Sequence, residues 1–166
     1  AGHKPKTLEH VVAASVPLTL LTDWEAFEDK FKVRIPAPGS LDETLNASKT
    51  LLVVAGAGGV GSIAIQLAKK IFKIGKVAAT AGRADSKEWA LKQGADLILD
   101  RHYDYDTQLK EKEISGFDYI LCCTEVDEIL DKLLSIANPF GHICTIVGSS
   151  KLLDLSGFIY KAVGLS

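Results

Sequence analysis

Glycines at positions 56, 58 and 61 spell G-x-G-x-x-G, and the residues on either side decide what that spacing can do. An apolar run, residues 50–55, leads directly into the glycines, and residues 62–70 follow with helical spacing. In a strand-turn-helix setting the first glycine permits the tight turn. The second lets backbone N–H groups approach a pyrophosphate, and the third lets helix and strand pack closely. The helix start adds unpaired donors and the positive end of a dipole. The chemistry expected of Gly56–Gly61 is the grip of a dinucleotide diphosphate. The alternative is a purely steric turn, because glycine serves turns that hold no ligand.

The exit of the next strand should decide which dinucleotide is held. An Asp or Glu about 20 residues beyond the glycines suits NAD, whose ribose 2′-hydroxyl it can accept. Here that stretch reads Thr80-Ala81-Gly82-Arg83-Ala84-Asp85-Ser86-Lys87, small at first and then cationic. Arg83 can meet a 2′-phosphate with a charge-assisted hydrogen bond, and Lys87 is a second cation. NADP(H) is therefore expected in preference to NAD(H). Against this stands a plainer possibility, with Arg83 a solvated loop arginine and Asp85 the N-cap of the following helix.

Other reactive residues offer less. His3, His10, His102 and His142 share no metal-ligand spacing. Cys122, Cys123 and Cys144 form no C-x-x-C and lie in strand-like apolar segments, as packed, reduced thiols do. Asn46-Ala47-Ser48 matches a glycosylation sequon, a match expected to be accidental.

The elements that must position these residues alternate. After residues 50–55, strands are expected at 76–80, 96–99, 117–123 and 142–147, with helices at 85–93, 105–113 and 126–137. Such alternation predicts an α/β fold, a Rossmann-type doubly wound parallel sheet with helices on both faces. Pro139-Phe140-Gly141 should punctuate the last helix-to-strand turn. Residues 8–15 and 18–31 look helical, with Pro17 near a helix start, and 40–43 resemble a capping box. The final stretch, 162–166, looks like a strand just beginning, so the last strand is expected to be truncated.

With 166 residues, 47% of them hydrophobic, the chain can bury a sizeable core. Nineteen basic against 21 acidic residues give no excess of positive charge, so nucleic acid is not an expected partner. No apolar run is long enough for a bilayer and the start lacks a signal peptide's apolar segment, so a cytoplasmic protein is expected, with no membrane partner.

Together the residues resemble the medium-chain dehydrogenase/reductase superfamily, in its zinc-independent quinone oxidoreductase-like branch. The resemblance is carried by Gly2-His3-Lys4-Pro5-Lys6, by residues 14–25, by residues 55–68, by Gly94-Ala95-Asp96, and by residues 139–143 closing on Val147-Gly148. It implies residues 1–49 as a helical lead-in and hinge from a GroES-like catalytic domain, and 50–166 as the dinucleotide-binding domain. It also implies hydride transfer from NADPH to a quinone, an enone or a related carbonyl compound. Ala57, Gly58, Gly59 and Val60 match the family's diphosphate turn, with Gly61 closing the motif. Arg83 and Lys87 fall where the 2′-phosphate is held, Cys123 matches a cofactor-lining position, and Val147 with Gly148 match the strand edge beside the nicotinamide ribose. The resemblance brings Thr22 toward the nicotinamide, with a structural role at a helix end as the alternative. Leu18 stands where zinc-dependent relatives carry a cysteine ligand, so no zinc is expected. A homodimer through the edge strand is a further implication. No catalytic residue is assigned.

Three functions follow from these observations. The first is the NADPH-binding part of an oxidoreductase, inactive alone. The second is a standalone nucleotide-binding regulatory or redox-sensing module. A methyltransferase is the weakest, since residues 80–82 lack the acid its adenosyl cofactor usually requires.

Overall fold

A computed structural model describes residues 3–166, so Gly2 of the first resembling segment lies outside the described residues. Its centre is a six-stranded sheet in the order β3-β2-β1-β4-β5-β6. The strands are β1 (Thr50–Val54), β2 (Lys76–Ala81), β3 (Leu97–Asp100), β4 (Phe117–Cys122), β5 (Ala137–Thr145) and β6 (Gly164–Leu165). Every neighbouring pair is parallel. This is the doubly wound order, and it places every strand's carboxyl end on one edge of the sheet.

Helices cover both faces. Before the sheet lie α1 (His10–Glu25), a π-helical turn (Ala26–Lys30) and α2 (Leu41–Ala47). The crossovers carry α3 (Gly59–Lys70), α4 (Ala84–Gln93), α5 (Tyr105–Glu111), α6 (Leu130–Ile136) and α7 (Phe158–Lys161). One apolar cluster joins Leu51, Val53 and Val77 to Ile65 and Phe72, and it includes Phe27, Phe31 and Val33 from the segment before β1. The other joins Leu52, Ile120 and Ile143 to Leu109, Leu133 and Phe158. Alternate residues of β1 thus feed opposite clusters, as a sheet covered on both sides requires. Each fully buried Leu, Ile or Phe contributes roughly 1.5–3 kcal/mol of transfer free energy.

Three expected elements change shape. Pro17 lies inside the continuous helix α1 and does not start a second one. It is exposed there, where water can serve the carbonyl whose N–H partner proline lacks. Helix α6 begins at Leu130, four residues later than residue 126, because Val126–Ile129 forms a turn whose Asp127 carboxylate binds Ser150. Strand β5 runs Ala137–Thr145, not 142–147, with a register break between the pairs Phe117–Ala137 and Tyr119–His142. The break absorbs residues 138–141 as a bulge, in which Phe140 takes φ +60° and points outward. Among the described residues, no helix is long and apolar enough to cross a membrane.

Candidate functional site

The β1 exit is a tight turn tied to β2. Ala55 takes φ +59°, its N–H donates to Thr80 Oγ1 at 2.9 Å, and the Gly56 N–H donates to the Thr80 carbonyl at 3.2 Å. Thr80 is buried, so these bonds fix where the turn sits. Gly58 then caps α3 in an extended conformation, and the helix starts at Gly59. Gly61 faces back onto the turn. A Cβ there would lie 2.6 Å from the Ala55 carbonyl oxygen and 2.7 Å from Gly56 Cα, so only glycine lets α3 approach this closely.

A cavity of about 600 Å³ opens at this carboxyl edge, within the usual range for a small-molecule site. Ala57 and Gly58 form its floor beside Val54 and Ala55. Gly82, Arg83, Ser86 and Arg101 form one wall, and Thr124, Asp127 and Lys132 stand on another. The closing segment after β5 is held by Asp127, whose Oδ2 accepts from Ser150 Oγ at 2.7 Å, while Lys151 reaches Glu128 at 3.4 Å. These bonds hold the Asp127 carboxyl below the usual range, Ser149 and Ser150 being the chief donors.

The structure brings together only part of the sequence-based set. Ala57, Gly58 and Arg83 face the cavity. Gly59, Val60 and Gly61 form the first turn of α3 behind it. Arg83 is exposed at the N-cap of α4, with no side-chain capping bond, and Asp85 lies in the first helical turn, not at the cap. Lys87 is turned elsewhere, its ammonium 2.5 Å from Asp100 Oδ2. Val147 and Gly148 follow the end of β5 and do not line the cavity. Thr22 donates its hydroxyl to the Leu18 carbonyl at 3.0 Å, within its own helix.

Cys123 sits just after β4, packed against the α1 side of the core, outside the cavity wall. Burial above all, then the nearby Asp23 carboxyl and the other two thiols, pushes its thiol far up. Asp23 itself is fully buried with neither carboxyl oxygen hydrogen-bonded, and burial pushes it up to about 8. Among the described residues, no group of three or more His, Cys, Asp or Glu is arranged to hold a metal ion, and Leu18 is 79% exposed with no donor atom. The donor set does not fit zinc, whereas the glycine cradle and cationic wall fit a dinucleotide.

Sequence reasoning missed Thr80, Arg101 and Asp127 as cavity residues. Thr80 is the last residue but one of β2, Arg101 directly follows β3 and Asp127 lies in the turn after β4, so the signal available was position toward a parallel strand's carboxyl end.

The sequence profile of zinc-binding dehydrogenases matches residues 59–163, which run from the first residue of α3 to just before β6. The chain belongs to this family, in the medium-chain dehydrogenase/reductase superfamily. A zinc-type alcohol dehydrogenase-like protein of Staphylococcus epidermidis is 40% identical over 159 residues, covering 96% of this chain and 45% of that protein. The NADPH-dependent alkenal/one oxidoreductase, chloroplastic, of Arabidopsis thaliana is 33% identical over 146 residues, 88% of this chain and 32% of that one. The crystal structure of an alcohol dehydrogenase superfamily protein from Novosphingobium aromaticivorans superposes with a TM-score of 0.79 at 28% identity, covering 99% of this chain and 45% of that one. The chain thus spans about half the length of its relatives or less. The matched residues take in β2 to β5 and α3 to α7 of an NAD(P)-binding domain, while β1 and β6 lie just outside them.

Proposed function

We propose that this chain binds NADP(H) and forms the cofactor-holding half of an oxidoreductase acting on an enone, a quinone or a related carbonyl compound. The observation that carries the proposal is the cavity at the carboxyl edge, floored by the Ala57–Gly58 turn and walled by Arg83. The relative whose printed name includes NADPH and an alkenal/one substrate supports the same cofactor and substrate class.

The residues divide the work by charge. Backbone N–H groups at Gly59–Gly61, the first turn of α3, suit a diphosphate, while the Gly58 N–H already donates to the Ala55 carbonyl and Thr80 holds the turn in place. Arg83 supplies a fixed cation at the adenosine end. The bound nicotinamide would supply the hydride, while the protein orients it. No residue of this chain is assigned as a proton donor, and the acceptor's pocket is left to the remainder of the protein. The reading includes a homodimer through β6, the outer strand of the sheet, since an uncovered edge strand offers its backbone to a second copy.

Fluorescence titration with NADPH and NADH tests the cofactor. Tighter binding of NADPH is expected, and equal or absent binding of both overturns the proposal. Sedimentation velocity checks the dimer, with a monomer at all concentrations as the contrary result.

A further inference from the structure

Asp23 lies in the last turn of α1, fully buried, and neither of its carboxyl oxygens meets a hydrogen-bond partner. Native structures leave few such groups unpaired, and each one asks for an explanation. Packing does not supply it, since an apolar residue would fill the same space without burying a polar group. The backbone is unusual at the same place. Helix α1 passes straight into the π-helical turn Ala26–Lys30, which the Phe31 N–H closes on the Ala26 carbonyl at 2.9 Å. Such turns are rare and concentrate at functional sites.

The neighbours place this carboxyl at the ligand edge of the sheet. One turn earlier on α1, Thr19 Cγ2 lies 3.7 Å from where a Cβ on Gly59 would stand, so this face of α1 covers the start of α3. Cys123 lies beside Asp23 at the exit of β4, and its N–H donates to the Val54 carbonyl of β1 at 3.4 Å. Strands β1 and β4 are the pair at which the strand order reverses, the point where a doubly wound sheet holds its ligand. Among the described residues, the titratable group facing Asp23 is the Cys123 thiol, which burial keeps neutral and which in turn neighbours Cys122 and Cys144. No charged side chain of α1, α3, β4 or β5 acts on the carboxyl, and burial alone raises it to about 8. Asp23 is thus an acid without a counter-charge, and a positive charge arriving nearby favours its ionised form.

Resting on the NADP(H) reading above, we propose that Asp23 discriminates between the two redox states of the cofactor, giving up its proton to balance the positive charge of an oxidised nicotinamide and keeping it beside the neutral reduced ring. The proton goes to solvent, and no bond to the cofactor is made or broken. Raising the pH therefore favours the oxidised cofactor and leaves affinity for the reduced one unchanged.

Calorimetric titration of the chain at pH 7.5, repeated in buffers of different ionisation enthalpy, counts the protons. The ligands are NADP⁺, NADPH and 2′-phospho-ADP-ribose, which lacks the nicotinamide. A cation that lowers the carboxyl from about 8 to about 7 should drive off about half a proton with NADP⁺ and none with the other two. Between pH 6 and pH 9, NADP⁺ affinity should rise up to about tenfold relative to NADPH. D23N and D23L should abolish both the release and that pH dependence, with circular dichroism to confirm folding. Equal release with NADP⁺ and NADPH, none included, overturns the proposal from the parent alone, so the test survives a variant that does not fold. Release undiminished in D23N and D23L overturns it too, and in both cases the NADP(H) reading stands. A parent that binds neither dinucleotide overturns both.

Discussion

The Lys87 ammonium lies 2.5 Å from Asp100 Oδ2, so the lysine expected to face a cofactor phosphate is spent neutralising a carboxylate one strand away. The bond from Lys87 and the backbone N–H of His102 hold the Asp100 carboxyl below the usual range. The pair predicts an indirect part for Lys87 in ligand binding. Replacing it exposes a negative charge near the wall that carries Arg83 and Arg101.

A double-mutant cycle separates the two parts. Lys87→Met should weaken NADP⁺ by several-fold, and the loss should vanish in an Asp100→Asn background, where no charge is uncovered. A direct contact between Lys87 and the phosphate would instead give the same loss in both backgrounds. Titration at low and high salt adds a control, since the uncovered charge is screened at high ionic strength.

Gly61→Ala tests the close approach of α3 to the turn. Alanine gains up to about 1 kcal/mol of helix propensity over glycine. Here its Cβ would sit 2.6 Å from the Ala55 carbonyl oxygen, and backbone atoms cannot swing aside. Overpacking should win, with a net loss of about 1–3 kcal/mol in urea unfolding and a displaced diphosphate turn. Gly59→Ala, whose added Cβ would meet only Thr19 Cγ2 at 3.7 Å, should be neutral or slightly stabilising. Equal effects of the two would contradict the steric account.

Thr80→Val removes one oxygen with little change of shape. The Ala55 N–H, 2.9 Å from the Thr80 hydroxyl, would lose its partner next to a buried strand end. An unsatisfied buried donor costs about 1–3 kcal/mol, and Thr80→Ser should retain most of that. Because the bond also places the turn, Thr80→Val should weaken NAD⁺ and NADP⁺ alike. Loss confined to NADP⁺ would disprove a role at the diphosphate.

The turn was legible in sequence because its signal is local: an apolar run, three glycines and a helical run within about twenty residues, as the motif requires. The parallel, doubly wound architecture was legible too, since alternating elements admit few topologies. The fifth strand was misplaced because Pro139 and Gly141 look like punctuation, yet the chain bulges at 138–141 and resumes the same pairing. Arg101 was invisible for another reason. Its position depends on the side-by-side exit of β2 and β3 and on the missing Cβ of Gly82, neither of which is a property of nearby residues. Asp23 was likewise unremarkable, because its burial comes from what α1 packs against, and the residues beside it in sequence do not set that.

Asp23 gives the last prediction. Its carboxyl is fully buried without a hydrogen-bond partner and is raised to about 8, against about 3.9 in an unfolded chain. The folded state therefore holds a proton that the unfolded state releases between these values. Stability from this group is full below about pH 3.9 and is lost as pH rises through 8. Asp23→Leu removes the titration and should stabilise the chain by about 1–3 kcal/mol near pH 8. Asp23→Asn should flatten the pH dependence while leaving a polar group buried. Urea midpoints at several values between pH 5 and 8 decide the matter. A parent and an Asp23→Leu variant that lose stability in parallel across that window would show that the carboxyl is ionised and solvated in the folded chain.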